Sequence, residues 1–339
     1  AAAGDARRAD ETTMPPPRGP HFRPPRGEAD AAALWAIRRE CADADRYDPL
    51  STAESLPTRE DLLAQLRAAV SVPERWPLVE FNGQVIAYGR IGDWTEGDGM
   101  RVWLHLGWVR PAWRNKGVGT ALLRELEGRI RTLAEGVPRW EFAANAAGTE
   151  PAATQLLLDN GYHVAYTVLE MALTWDAFDA AERVVWPVEF TLRPAAAEHV
   201  PAIAHSVTEA YRNEYPADRY HEPTDEIDYA AELAAPRFDR GLFQVAWAGG
   251  EVAGQVIPLI ERGRAEIYEV SVRPAYRRRG LARALLARQL DVLRARGVEA
   301  VRLHTVAEFP TQAVDLYRAL GFETVKVFPR YRKPSAVLS

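Results

Sequence analysis

The sequence predicts an α/β fold in which two tandem domains each combine a mixed, mostly antiparallel sheet with flanking helices. The first observation behind this prediction is a repeat: the stretch VRPAWRNKGVGTALL at 109–123 returns as VRPAYRRRGLARALL at 272–286. The second is that the same order of strand-like and helix-like segments surrounds both stretches. So long a repeat indicates duplicated domains rather than a solenoid, and 339 residues suit two domains of ordinary size.

The second repeat begins with a short strand and two helices. Two strand-like runs on either side of Gly249-Gly250 then predict a hairpin, because Gly-Gly supports a tight turn. After the basic loop, leucines at helical spacing predict a helix to about Arg296. The predicted elements, in order, are strand 189–194, helices 197–214 and 225–235, hairpin 242–260, strand 265–272, the leucine helix, strand 298–306, helix 311–320 and strand 322–328.

The first repeat follows the same order. Asn82-Gly83 lies between two strand-like runs and is a strong hairpin signal. The strand RVWLHLGWV at 101–109 leads into the other basic loop. The other predicted elements are helices 28–45, 58–70 and 118–134, strand 139–145 and helix 153–162, which ends at Gly161. The predicted boundaries are a disordered tail 1–20, a first domain 21–175, a linker 176–188 and a second domain 189–339.

The composition is that of a globular chain, with 47% hydrophobic and 26% charged residues, a net charge of −5 and one cysteine, Cys41. The acidic balance disfavours nucleic acid as a partner. We expect no membrane span, because no apolar run approaches about 18 residues. The lone cysteine excludes a cysteine zinc cluster and favours a reducing, cytoplasmic setting. Since the seven histidines form no H-E-x-x-H motif, no metal site is predicted.

Each basic loop is suited to binding an anion. It follows a strand and opens a helix, whose unpaired N–H groups and partial positive charge attract negative groups. Gly117 and Gly280 let main-chain N–H groups approach a ligand closely. The pattern is neither a Walker loop nor a dinucleotide fingerprint, because the G-K-[ST] step and the third glycine are missing. A pyrophosphate therefore fits; the alternative is a solvated basic turn before an ordinary core helix.

The signature [Q/R]-x-x-G-x-[G/A], present as RNKGVG and RRRGLA, resembles that of the GNAT superfamily of acyl-CoA-dependent N-acyltransferases, as does the later LYRALGF at 316–322. The two-domain layout is similar to mycothiol-synthase-like tandem acetyltransferases. The resemblance implies that the loops bind the pyrophosphate of acetyl-CoA. It also implies that the strand around Val270 and Val272 binds the pantetheine arm and offers backbone N–H to the thioester oxygen. The loop residues so implied are Arg114, Asn115, Lys116, Gly117, Val118, Gly119, Arg277, Arg278, Arg279, Gly280, Leu281 and Ala282.

Acetyl transfer to an amine needs a base for the ammonium, donors for the oxyanion and an acid for the departing thiolate. By resemblance the acid is Tyr317; the alternative is a core tyrosine on a helix. Glu269 is the candidate base, since a glutamate within an apolar strand is costly unless paired or functional; the alternative is a solvated outward residue. Alternation places Tyr268 and Val270 on the opposite face from Glu269. The other candidates for the base are His304, Glu308 and water.

The first repeat keeps the loop but lacks both proton-transfer candidates. Leu106 and Leu157 stand where Glu269 and Tyr317 stand in the second repeat. His105 is adjacent to Leu106, but neighbouring residues of a strand point to opposite faces. We therefore predict that the second domain catalyses and that the first is structural or binds coenzyme without turnover.

The predicted reaction is acetyl transfer from acetyl-CoA to a primary amine of a small molecule, by direct attack in a ternary complex, in a monomer or homodimer. The segment 209–233 is expected to shape the acceptor pocket, and its acids either favour a cationic acceptor or form a charged surface. These acids are Glu214, Asp218, Glu222, Asp225, Glu226 and Asp228. The basic stretch 328–334 either contacts coenzyme phosphates or is a solvated end. The alternative functions are a protein or peptide N-acetyltransferase and a non-catalytic coenzyme A-binding regulatory protein.

Overall fold

The computed structural model describes residues 19–51, 53–54, 56–211, 226–261, 263–308 and 313–335. The predicted tail as far as residue 18 and most of the acid-rich segment, 212–225, lie outside the described residues. Over the described ranges the chain forms twelve strands and nine α-helices. None of the helices in these ranges combines the length and the apolar character needed to cross a bilayer.

The elements of the first repeat are β1 (His21–Arg23), α1 (Ala31–Ala44), α2 (Arg59–Ala69), β2 (Leu78–Phe81), β3 (Gln84–Thr95), β4 (Arg101–Val109), α3 (Val118–Leu133), β5 (Trp140–Asn145), α4 (Pro151–Asp159), β6 (His163–Leu173) and α5 (Trp175–Ala180). Those of the second repeat are β7 (Thr191–Arg193), α6 (Val200–Tyr211), α7 (Glu226–Leu233), β8 (Gln244–Ala248), β9 (Glu251–Glu261), β10 (Arg264–Val272), α8 (Leu281–Ala295), β11 (Ala300–Val306), α9 (Ala313–Arg318) and β12 (Phe322–Pro334). The predicted order of strands and helices is present in both repeats.

The smaller of two compact units comprises the described residues up to Arg46, together with 56–91 and 107–129. In this unit β2 pairs antiparallel with both β1 and β3. Leu34 of α1 and Leu66 of α2 are fully buried in a core that these strands share. The helical spacing of apolar residues in α1 and α2 is therefore used to cover the first hairpin.

The larger unit comprises residues 47–55, 92–106 and 130–339, as far as they are described. Its mixed sheet has the strand order β4-β5-β12-β6-β11-β10-β9-β8-β7, in which β4–β5 and β10–β11 are the parallel pairs. The neighbours Val245 and Ala246 of β8 belong to different cores, as strand alternation requires. One core contains α8 and the other contains α6 and α7, so both faces of the sheet carry helices. This arrangement confirms the predicted fold class.

The two repeats exchange their last strands within this sheet. β6, which ends the first repeat, lies between β11 and β12 of the second, and β12 lies between β6 and β5. The sheet around the second repeat is therefore completed by residues 163–173. β6 was missing from the predicted elements although the segment is rich in β-branched and aromatic residues. The domain boundary at 176–188 stays a prediction, with α5 lying partly inside that linker.

β12 is longer than the sequence predicts, because it continues past 328 to Pro334. Its last residues are interior: Tyr331 is 1% exposed and Arg332 is 2% exposed. The guanidinium of Arg332 lies 3.0 Å from carboxylate oxygens of both Glu96 and Glu141, and these ion pairs make its burial tolerable. The alternative that 328–334 is a solvated end is therefore wrong.

Gly321, which ends α9, gives a test of this packing. Its φ is +95°, and a Cβ built there would lie 2.7 Å from the carbonyl carbon of Ala177 in α5. Gly297, which ends α8, also has a positive φ, +73°, but nothing lies within 4 Å of its Cβ position. We expect Gly321→Ala to lower the free energy of unfolding by about 3 kcal/mol and Gly297→Ala by only about 1 kcal/mol. Urea denaturation measures both, and equal losses would contradict the close contact with α5.

Candidate active site

The two basic loops share one backbone conformation. Each begins with a short 3₁₀ turn, Pro111–Trp113 or Pro274–Tyr276, and then passes through one extended residue. Two left-handed residues follow in each loop, a geometry that turns successive N–H groups toward a common anion-binding concavity. These residues and their φ angles are Asn115 (58°) and Gly117 (79°) in the first loop, and Arg278 (62°) and Gly280 (77°) in the second.

The first arginine of each loop braces it differently. Arg277 Nε donates to the Val272 carbonyl at 2.9 Å, and its Nη2 donates to the Ala210 carbonyl at 2.7 Å. Arg114 Nε donates to the carbonyl of Val109 at 3.2 Å. Its guanidinium also makes two bonds, of 2.5 and 2.7 Å, to the carboxylate of Asp45. These bonds hold the pKa of Arg114 above its usual value, so a carboxylate offsets this charge in the first loop.

A cavity of about 290 Å³ opens beside the second loop. Most of the cofactor residues that the resemblance implies for this repeat line it, namely Val270, Val272, Arg277, Arg278, Gly280, Leu281 and Ala282. Arg279 instead donates to the carbonyl of Ala275 at 3.0 Å. Tyr211, at the end of α6, and Tyr317, in α9, also line the cavity. The loop, the strand before it and the candidate acid therefore border one space.

The corresponding residues of the first loop are also placed by the structure. Val118 opens α3 and is 6% exposed, and Gly119 follows it in the first turn. The ammonium of Lys116 lies 5.4 Å from the ring centre of Trp113.

β10 leaves its parallel neighbour before it reaches the loop. The ladder between β10 and β11 ends at Ile267 and Leu303, although both strands continue. On its other side β10 stays paired with β9 as far as Val272. That second ladder contains a β-bulge at Tyr268, because Ile267 faces Pro258 and Glu269 faces Ile257. Backbone groups of 270–272 therefore border the cavity where one of the two ladders has ended.

The bulge corrects the predicted alternation at Tyr268. Val270 packs against the core that contains α8, as expected for a residue opposite Glu269. Tyr268 packs instead against the core of α6 and α7, and its hydroxyl donates to Glu232 of α7 at 2.7 Å. Because the bulge adds a residue, Tyr268 and Glu269 both face α6 and α7. The expectation that Tyr268 lies opposite Glu269 is wrong for this reason.

Glu269 is buried, with 9% of its surface exposed. The hydroxyl of Tyr211 donates to its Oε1 at 2.8 Å, and that of Tyr229 donates to its Oε2 at 3.5 Å. The alternative that Glu269 is a solvated outward residue is therefore wrong. Neither tyrosine contact was predicted, because both depend on how α6 and α7 pack over β10.

Tyr317 is 7% exposed and packs edge-on against Phe322, with 6.0 Å between ring centres. Burial and, to a smaller extent, the charge of Glu269 raise its pKa above the ordinary value for tyrosine. The phenol therefore stays protonated across the neutral range and can donate a proton into the cavity that it lines.

The other candidate bases, His304 and Glu308, contact residues of neighbouring strands. His304 Nδ1 lies 3.1 Å from the carboxylate of Glu266, and its Nε2 lies 3.9 Å from that of Glu170. Glu308 accepts the backbone N–H of Thr167 at 2.9 Å. Each of these side chains thus has a structural contact with a neighbouring strand, β10 or β6.

The first repeat has apolar residues where the second has Glu269 and Tyr317. Leu157 is 5% exposed and belongs to the interior. His105 is 4% exposed, and its Nε2 lies 2.7 Å from the hydroxyl of Tyr162. The imidazole therefore belongs to a buried contact within the larger unit.

The expected acceptor segment is only partly described. Glu214, Asp218, Glu222 and Asp225 lie outside the described residues. Glu226 and Asp228 lie in the first turn of α7. The carboxylate of Glu226 is 3.0 Å from His205 Nδ1, so one of the predicted acids has an imidazole partner.

The model of the Acetyltransferase (GNAT) family matches residues 34–157 and 203–322, which together cover most of the chain. This protein belongs to the GNAT acetyltransferase family. It is an N-acetyltransferase of tandem architecture, as the sequence predicts. Members of this family use acetyl-CoA as the acyl donor.

The relatives and structural neighbours agree with this assignment. The chain is 30% identical to a mycothiol acetyltransferase of Salinispora tropica over 86% of its own length and 90% of the relative's. It is 27% identical to that of Sanguibacter keddieii over 91% and 94%. A GCN5-related N-acetyltransferase from Sphaerobacter thermophilus shares the fold with a TM-score of 0.73 at 24% identity, covering 93% of this chain and 96% of the other. A tandem GNAT protein from the clavulanic acid biosynthesis pathway gives 0.62 at 18%, covering 95% and 100%.

Proposed function

We propose that this N-acetyltransferase transfers the acetyl group of acetyl-CoA to a primary amine of a small molecule, by direct attack in a ternary complex at the second repeat. The observation that carries the proposal is the cavity that the second loop, the bulged strand and Tyr317 share, next to a buried Glu269. The relatives named mycothiol acetyltransferases match over most of both chains, which supports a mycothiol-related amine as the acceptor.

Each group of the site has one task in this proposal. The loop N–H groups from Arg278 to Ala282 bind the pyrophosphate, and the edge of β10 around Val270 orients the thioester and donates to its oxygen as negative charge develops there. Acetyl-CoA supplies the activated acyl carbon. Glu269 accepts a proton from the ammonium of the acceptor, which frees the nitrogen lone pair. Tyr317 donates its proton to the sulfur as the new C–N bond forms and the C–S bond breaks, and the second proton that the nitrogen then loses restores the phenol.

The first repeat has a structural role in this proposal. Leu106 and Leu157 have no ionisable group, and Asp45 offsets the charge of Arg114 in its loop. β5 and β6 of the first repeat pair with β12 and β11 of the second. The first repeat therefore supports the site at the second through its strands.

Tyr317→Phe tests the acid. We expect kcat to fall about 100-fold or more, because the thiolate loses its proton donor, while the Kd for acetyl-CoA measured by calorimetry changes less than about twofold. Since burial raises the pKa of Tyr317, the wild-type rate should show no loss from phenol ionisation up to about pH 9. Tyr331→Phe is the control, because it removes another buried phenol. Tyr331 lies on β12, and its hydroxyl is 3.1 Å from the hydroxyl of Thr154 in α4. Wild-type turnover by Tyr317→Phe would rule out this acid.

Glu269→Gln tests the base against its competitors. Glutamine keeps the shape and can still accept a hydrogen bond from one tyrosine through its amide oxygen, but it accepts no proton, so we expect kcat/KM to fall about 100-fold. His304→Asn and Glu308→Gln should each cost less than about tenfold, because their contacts are with the sheet and the adjoining backbone. A panel of small amines and peptides gives the rates. A larger loss in His304→Asn than in Glu269→Gln would move the base to the histidine.

A further inference from the structure

The carboxylate of Glu269 is held at both oxygens by phenols from different helices. Tyr211, the last residue of α6, donates to Oε1 at 2.8 Å. Tyr229 of α7 donates to Oε2 at 3.5 Å. Each oxygen of a carboxylate accepts more than one hydrogen bond, so these two contacts do not by themselves prevent it from accepting a proton from the acceptor. The bond from Tyr211 orients the carboxylate from the side of the helices, and the longer contact from Tyr229 is weak at this distance.

Part of the packing around Tyr229, on the helix side of this carboxylate, is apolar. Tyr229 belongs to a buried core with Ile203, Val207 and Ile257. An apolar environment disfavours the charged form of a carboxylate, whereas hydrogen-bond donors favour it. Burial, followed by the charge of Glu269, raises the pKa of Tyr229, so its phenol stays protonated and remains a donor. The two phenols therefore offset the cost of keeping a charge at this position.

We propose that Tyr211 and Tyr229 are positioning residues that keep the Glu269 carboxylate ionised and oriented for proton transfer. This inference rests on the proposed function, in which Glu269 is the base. It assigns to Tyr211, at the end of α6, and to Tyr229, within α7, a task that the family motifs around the loop do not include. The phenols exchange no proton with the substrate, so their contribution is to the charge state and direction of the base.

Tyr211 has the larger share of this task. Its bond to Glu269 is shorter than that of Tyr229, and its side chain also lines the cavity beside the loop. Its hydroxyl lies 3.5 Å from the carbonyl of Val270, a weak contact compared with the bond to the carboxylate. Tyr211 therefore contacts both the cavity beside the anion loop and the proposed base.

Other titratable groups that act on Glu269 remain in place when one phenol is removed. Ile257 and Val256 of β9, which pair with Glu269 and Val270, do not titrate. Within the part of the chain that the structure describes, the titratable groups near Glu269 include Tyr211 on α6, Tyr229 and Glu232 on α7, Tyr268 on β10, Tyr317 on α9 and Arg277 in the loop. Single phenol removals therefore isolate the two donors from a constant background of charges.

The test compares Tyr211→Phe and Tyr229→Phe with wild type over about pH 5.5 to about pH 9.5. Losing a donor to the carboxylate should move the acid limb of kcat/KM upward by about one pH unit in Tyr211→Phe and by less in Tyr229→Phe. At pH values well below the wild-type limb the first variant should then be about tenfold slower, and it should recover at the alkaline plateau because the carboxylate ionises there. Tyr331→Phe controls for the loss of a buried phenol elsewhere, and its acid limb should stay in place.

Glu269→Gln, measured in parallel, distinguishes a failure of Glu269 as the base from a failure of the two tyrosines as positioning residues. If Glu269→Gln retains wild-type activity, the base of the proposed function is wrong, and the pair Tyr211 and Tyr229, here called the clamp, has no positioning role. If Glu269→Gln is inactive while both phenylalanine variants keep the wild-type limb, or lose rate equally at every pH, the clamp is overturned and the base stands. Should Tyr211→Phe fail to fold, Tyr229→Phe decides alone by the same criterion. A shift of the acid limb of kcat/KM to higher pH in Tyr211→Phe and Tyr229→Phe, but not in Tyr331→Phe, supports the proposal.

Discussion

The site depends on the bulge at Tyr268. At this bulge β10 stays paired with β9, while its pairing with β11 ends. A regular strand would point Tyr268 and Glu269 to opposite faces. The extra residue turns Glu269 toward α6 and α7 and leaves Val270 facing the cavity and the core of α8. The candidate base, the edge that orients the thioester and the anion loop are thus successive parts of one strand and its following turn.

The strand exchange places β6 of the first repeat beside β11, the parallel neighbour of β10. β11 pairs with β6, and a buried network crosses that pair: Arg302 bonds to Glu170 at 2.8 Å, and Glu170 accepts from Ser51 at 2.6 Å. Glu170 is fully buried, and removing one partner would leave an uncompensated charge, which is strongly destabilising. Residues of the first repeat therefore stabilise the sheet from which the second repeat builds its site.

Much of the site could be predicted from local sequence, because its parts are adjacent in the chain. The loop, its glycine and the preceding strand come from one stretch; Glu269 is a candidate because it is a glutamate within an apolar strand, and Tyr317 is a candidate because of the family resemblance. The contacts of Tyr211 and Tyr229 depend on helix packing, and the placement of Tyr268 depends on a bulge, neither of which has a local signal. Alternation also gives no sign that β6 would pair across the repeat. The predicted β12 was too short because basic residues such as Arg332 are usually exposed to solvent. Their burial here depends on ion-pair partners such as Glu96, which the local sequence does not reveal.

The central claim is that only the second of two loops with the same backbone serves catalysis. Gly117 and Gly280 have φ of 79° and 77°, and nothing lies within 4 Å of either Cβ position. Alanine therefore strains both loops alike, and a difference in activity reports which loop binds the acyl donor. The most direct measurement is the KM for acetyl-CoA of the two variants. We predict a rise of about tenfold or more in Gly280→Ala and less than about twofold in Gly117→Ala. Equal increases, or a larger one in Gly117→Ala, would contradict the account.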